Sequence, residues 1–196
     1  MRVRPKLPNC FREVQRGKCR WCGGVIIENG KVNTRKTWHT KCVEEYKIHT
    51  DAGTARRAVY KRDNGICQCC KLDLKALEAE MRQTWRDMHR DRKLLEDKQD
   101  WLASVESAKL KWAGIVAKMT ALGFGGSHIS FRRELWDSDH IEPVWKSQGE
   151  LRFFSLDNQQ LLCVPCHACK TREDVKAYKE SRSRKGREVD SPPGTA

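Results

Sequence analysis

Two stretches decide how this chain folds: Trp136-Asp137-Ser138-Asp139-His140-Ile141-Glu142-Pro143 and Leu156-Asp157-Asn158-Gln159-Gln160-Leu161-Leu162-Cys163-Val164-Pro165-Cys166-His167-Ala168-Cys169-Lys170-Thr171. The first reads as a strand. Neighbours on a strand face opposite sides, so the adjacent Asp139 and His140 suit two separate tasks. The second carries a C-x2-C pair, Cys163 and Cys166. Two ligands three residues apart can grip one tetrahedral ion from a tight turn.

Three more pairs share that spacing: Cys67 with Cys70, Cys19 with Cys22, and His39 with Cys42. Four pairs make two complete four-ligand sets, and two structural zinc ions are expected. Cys67, Cys70, Cys163 and Cys166 form one set. Cys69 and Cys169 stand close enough in sequence to compete for it, and His167 directly follows one of its members. Cys19, Cys22, His39 and Cys42 form the other. Gly23-Gly24 suits the positive φ of a knuckle turn. Val25-Ile26-Ile27 reads as a strand, Glu28-Asn29-Gly30 as a hairpin turn, and Val43 to His49 as a short helix. This first unit is treble-clef-like or half-LIM-like. Cys10 is left over, and His49, His89 and His128 read as ordinary surface or core histidines.

Asp139-His140-Ile141-x-Pro143, then Asn158, then Cys163-x2-Cys166-His167-x2-Lys170-Thr171 resemble the motif of zinc-stapled HNH endonucleases. Arg56-Arg57-Ala58-Val59-Tyr60-Lys61-Arg62-Asp63-Asn64-Gly65-Ile66-Cys67 is similar to the lead-in of such domains. The likeness covers about residues 54–70 and 134–175. It implies a ββα-metal core that hydrolyses DNA phosphodiester bonds. It implies His140 as general base, with Asp139 and His167 holding one divalent ion, Mg²⁺ or another. Asn158 would orient His140 or pin the loop between the strands. A neutral imidazole near its ordinary pKa of about 6.5 accepts a proton at pH 7. The chain departs from the family twice. The Gly-Gly after the first strand is reduced to Gly149, and Gln159-Gln160 follow Asn158 where Leu-Gln is common.

The first Cys pair and the Asp-His strand are separated by about fifty residues more than a compact domain of this type needs. Leu74, Met81, Met88, Leu95, Leu102 and Val116 recur at sevens, broken once by Lys109. No Pro or Gly interrupts Leu72 to Ala113, which predicts a long helical insertion over about 72–122. Gly123-Phe124-Gly125-Gly126-Ser127 closes it. As one straight helix it would run roughly 60–75 Å and need a partner for its apolar stripe. The partner is either a second half of the same segment, with a break near Asp87–Asp100, or another chain in a homodimer.

The expected fold class is α+β. The expected divisions are an N-terminal zinc finger over 1–50, an HNH domain over 51–175 with the insertion inside it, and a basic disordered tail over 176–196. The 196 residues carry 39 Lys+Arg against 26 Asp+Glu, a net charge of +13. No run approaches the roughly 20 apolar residues of a spanning helix, so no membrane partner is expected. The opening MRVRPKLPNC shows basic residues with no apolar run behind them. A cytoplasmic setting, bacterial or in a phage-infected cell, is expected, with cysteines that bind metal in preference to disulfides. Residues 1–70 hold 16 basic and 6 acidic side chains, and so carry most of the excess. The expected partner is DNA, gripped by Arg16, Lys18, Arg35 and Lys36 of the finger. The competing reading is a non-cleaving, nucleic-acid-binding or assembly protein on the same zinc scaffold.

Overall fold

Asn29 (φ 51°) and Gly30 (φ 74°) both hold positive φ. That is the two-residue turn whose twist matches a hairpin. It joins β1 (Ile27–Glu28) to β2 (Lys31–Val32), antiparallel with Ile27 opposite Val32. The expected strand thus begins later than Val25, which makes only an isolated bridge to Lys18. The computed structural model describes residues 3–89, 98–126 and 134–189, and the architecture is α+β with two small sheets. A single turn, α1 (Asn9–Arg12), precedes the first hairpin; α2 (Thr40–Thr50) and α3 (Ala52–Asp63) follow it. Then come α4 (Leu74–Met88) and α5 (Lys98–Ala121). The second sheet pairs β3 (Trp136–His140) with β4 (Gln159–Cys163), and α6 (Val164–Val189) ends the described chain. Ile141 N–H donates to the Asn158 carbonyl at 2.8 Å and Val164 N–H to the Leu135 carbonyl at 3.1 Å, so β3 and β4 run antiparallel.

The chain forms two units. One comprises Met1–Arg62, Ser138–Gln160 and Asp174–Ala196; the other comprises Asp63–Asp137 and Leu161–Glu173. These limits differ from the boundaries expected at residues 50 and 175, because the finger shares a unit with the loop between β3 and β4. In the first unit Cys19, Trp21 and Ile26 are buried, with Leu7, Trp38, Tyr46 and Leu151 packed against them. Tyr46 stacks on Phe11 at 5.4 Å and meets Trp21 edge-on at 5.7 Å. Aromatic pairs add about 0.5–1.5 kcal/mol beyond area burial, which matters in a core this small.

Lys6 N–H donates to the Gly149 carbonyl at 2.8 Å. Gly149 has φ 91°, and a Cβ there would lie 3.2 Å from the Arg4 carbonyl oxygen. This single glycine is therefore required on two counts, strain and space. Arg62 holds the same loop from α3. Its guanidinium donates to the carbonyls of Leu156 at 2.6 Å and Gln159 at 2.5 Å.

In the second unit the described part of the insertion is two packed helices: α4 lies on α5, with Lys118 Nζ 3.5 Å from a Glu80 carboxylate oxygen. The Asp73 side chain caps α4 by accepting from Ala76 N–H at 2.8 Å. Leu74, Leu77, Ala108, Ile115 and Met119 are buried, whereas Leu102 of the sevenfold series is exposed. The buried Glu78 accepts from Leu135 N–H at 2.9 Å, just ahead of β3. Of the heptad residues, Leu95 lies outside the described residues, as does His128.

The stretch expected to be a disordered tail from Lys176 is corrected in part. It continues α6 to Val189, because Lys, Arg and Glu are good helix formers and nothing before Val189 breaks the helix. Residues 190–196 lie outside the described residues.

Candidate functional site

Two clusters of ligand atoms form, with the memberships expected from spacing. Cys19, Cys22, His39 and Cys42 make one and Cys67, Cys70, Cys163 and Cys166 the other, all donor atoms of each lying within 4.8 Å of one another. Sulfurs around a tetrahedral zinc stand roughly 3.8 Å apart for bonds of about 2.3 Å, so both clusters could hold a zinc ion. Cys69, Cys169 and His167 belong to neither cluster. Cys169 Sγ lies 3.8 Å from a Glu173 oxygen, and Cys10 Sγ donates to the Trp21 carbonyl at 3.2 Å.

In the first cluster His39 Nε2 sits 3.2 Å from the Val25 carbonyl oxygen. A carbonyl only accepts, so Nε2 carries the proton. Nδ1 then turns its lone pair toward the sulfurs of Cys22 at 3.4 Å and Cys42 at 3.7 Å. An outer hydrogen bond that fixes the imidazole in its ligating tautomer is characteristic of a metal site. Cys42 enters from the first turn of α2, and Gly23 (φ 71°) shapes the knuckle after Cys22.

The thiols of each cluster differ in acidity. Burial acts to raise the Cys19 thiol, yet the backbone N–H groups of Cys22, His39 and Trp21 outweigh it and hold the thiol down at about 6. Burial and the sulfurs of Cys19 and Cys22 push Cys42 up to about 12. In the second cluster the Cys163 thiol donates to Cys67, holding Cys67 at about 4 and pushing Cys163 well above its ordinary range. Burial lifts Cys166 to about 12. Each cluster thus has one thiol held below the others, and its charge once ionised would oppose ionisation of its neighbours. A divalent cation would relieve that opposition.

Asn158 lies at the end of a 3-10 turn, Leu156–Asn158, just before β4. Its Nδ2 donates to the carbonyls of Glu142 and Phe153, both at 2.9 Å, and its Oδ1 accepts from Glu142 N–H at 2.8 Å. Of the two tasks expected for it, this geometry performs the pinning of the loop. His140 ends β3 beside Phe154, ring edge to face at 6.3 Å, and lines a cavity of about 640 Å³.

Asp139 and His140 fall in the first unit and His167 in the second. His167 Nδ1 lies 3.1 Å from Asp137 Oδ2. A carboxylate only accepts, so Nδ1 carries the proton, which leaves Nε2 as the ring nitrogen that could meet a metal. Sequence reasoning missed Asp137. The signal was present, since Asp137 and Asp139 share one face of a strand of period two. Arg16, Lys18, Arg35 and Lys36 are all exposed, and Lys36 is ion-paired with Glu28.

Across 142 residues, 72% of its length, the chain is 30% identical to two proteins named DNA annealing helicase and endonuclease ZRANB3, one from Mus musculus and one from Bos taurus. It is 26% identical to the Homo sapiens protein of that name over the same extent. The chain covers about 11% of the length of these relatives. No family model matches the chain, and no solved structure matches it.

Proposed function

We propose that the chain is a metal-dependent HNH-type endonuclease that hydrolyses DNA phosphodiester bonds. The observation that carries this reading is Asn158. Its amide ties down Glu142, two residues beyond His140, by both its N–H and its carbonyl. The end of β3 is thereby held while His140 lines a cavity large enough for a nucleotide. The order Asp139-His140, Asn158, Cys163-x2-Cys166-His167 supports the same reading. DNA as the substrate is supported by the 30% identity to mammalian proteins named DNA annealing helicase and endonuclease.

His140 would take the proton from the attacking water. Asp139 and His167 are the residues that would hold the divalent ion, with Asp137 keeping His167 Nε2 available to it. A bound Mg²⁺ or Mn²⁺ supplies positive charge to the phosphate and the leaving oxygen. Cys19, Cys22, His39 and Cys42 and Cys67, Cys70, Cys163 and Cys166 would hold structural zinc, and the basic finger would grip the backbone.

Plasmid nicking with Mg²⁺ or Mn²⁺ tests this. Wild type should relax supercoiled DNA, and His140→Ala should bind equally and leave it intact. If wild type binds DNA but leaves it whole with either ion, the reading fails. The chain is then a non-cleaving nucleic-acid-binding or assembly protein on the zinc scaffold.

A further inference from the structure

The cavity beside His140 takes one side from the finger, through Val3, Arg4, Pro5, Ile48, His49 and Thr50. Arg4 reaches it from the N-terminal arm, His49 from the last turn of α2, and Arg56 from α3; Phe154 and Gln159 complete the wall from the loop and β4. All of these residues belong to the first unit. Among the described residues lining it there are two arginines and no acidic side chain. At about 640 Å³ it matches the size of ordinary small-ligand sites.

His49 supplies an independent sign. It is only 9% exposed, and its Nδ1 is buried with no hydrogen-bond partner. Buried polar atoms in folded proteins nearly always find partners, so this atom sets His49 apart from the other described residues of the wall. Burial lowers its pKa, against a weaker opposing pull from Glu45. The ring is therefore neutral at pH 7.

We propose that this cavity binds one nucleotide unit of a nucleic-acid strand, with its phosphate between Arg4 and Arg56 and a further polar atom on His49. Guanidinium groups suit a phosphate because they offer paired N–H donors at fixed spacing. Phe154 presents an apolar face to the sugar or base. The inference rests on the nuclease reading for its choice of ligand, since the residue beside the phosphate would be the base, His140. It assigns Arg4, Arg56 and His49 to substrate binding. His49 thereby leaves the class of ordinary histidines in which its sequence context puts it.

The full chain carrying His140→Ala is the protein to test, because cleavage then cannot intervene. The probe is thymidine 3′,5′-bisphosphate, followed by calorimetry and by the NMR signals of the histidine rings. Saturation should shift the His49 ring signals. Arg56→Gln should weaken binding at least tenfold, Arg4→Gln severalfold, and Arg56→Lys less than Arg56→Gln. Zinc content and circular dichroism equal to the parent's secure the fold. Arg4 is exposed on the arm, so its variant serves if Arg56→Gln misfolds. Equal binding by the parent and both glutamine variants, or unmoved His49 signals, overturns the proposal. The two readings fail separately. Bisphosphate binding of this kind without plasmid nicking by wild type keeps the pocket and removes the nuclease. Nicking by Arg4→Gln and Arg56→Gln with unchanged KM does the reverse.

Discussion

Asn158 grips Glu142 from both sides, its Oδ1 taking the Glu142 N–H at 2.8 Å and its Nδ2 giving to the Glu142 carbonyl at 2.9 Å. With the Phe153 carbonyl it satisfies three backbone groups. Asn158→Ala should cost about 2 kcal/mol at roughly 0.5–1.5 kcal/mol per net hydrogen bond. Asn158→Asp should cost more, because a carboxylate oxygen would then face two carbonyl oxygens. Chemical unfolding of the three proteins gives the order, and equal midpoints would remove Asn158 as the pin.

The metal content separates ligands from bystanders. Wild type should carry two zinc ions per chain by elemental analysis. Cys67→Ser should carry one, and Cys69→Ser, outside the cluster, should keep both. Structural zinc contributes on the order of 10 kcal/mol to folding in small zinc domains. A strong chelator should therefore unfold both clusters' surroundings, seen as a large drop in Tm. Loss of zinc in Cys69→Ser would show that the assignment of ligands is wrong.

Acid should weaken the fold partly through His49. Its folded-state pKa lies below the ordinary value of 6.5, so the unfolded chain takes up that proton first. The stability it contributes is whole above about pH 6.5 and declines as pH falls from there toward the depressed folded value. His49→Gln should lose less stability than wild type between pH 7.5 and pH 5.5, measured by urea unfolding with zinc present. Parallel losses would mean that His49 is not buried as a neutral ring.

The basic side chains of the finger should not contribute equally to DNA binding. Lys36 is committed to Glu28, whereas no ion pair holds Arg16, Lys18 or Arg35 among the described residues. Charge reversal at those three should flatten the dependence of log affinity on log salt by about 0.9 for each phosphate that is no longer neutralised. Lys36→Glu should do less. Unchanged affinity and slope in the triple variant would show that the basic excess is not the grip.

The two ligand clusters were legible because each pair declares itself within four residues, and folding had only to bring pairs together. The turn at Asn29-Gly30 was legible because few residues tolerate two successive positive φ values. The contact of Asp137 with His167 was not, because it joins a strand to a helix thirty positions away and depends on packing. Arg62 and Asp63 looked like a lead-in and no more. Arg62 holds two carbonyls of the loop before β4, and Asp63 accepts from Leu161 N–H at 2.9 Å. Neither role has a periodicity to announce it. The helical tail was misread because a charged, serine-containing composition suits a solvated helix as well as a disordered end.

The helix α2 carries Cys42 of the first cluster in its opening turn and His49 of the cavity wall in its last. Val3, Arg4, Pro5, Ile48, His49 and Thr50 all line that cavity and all precede residue 51. A shortened protein beginning at Asp51 would lack one side of its own pocket. The finger is therefore not a detachable handle, and a graft of this domain onto another protein has to carry it along.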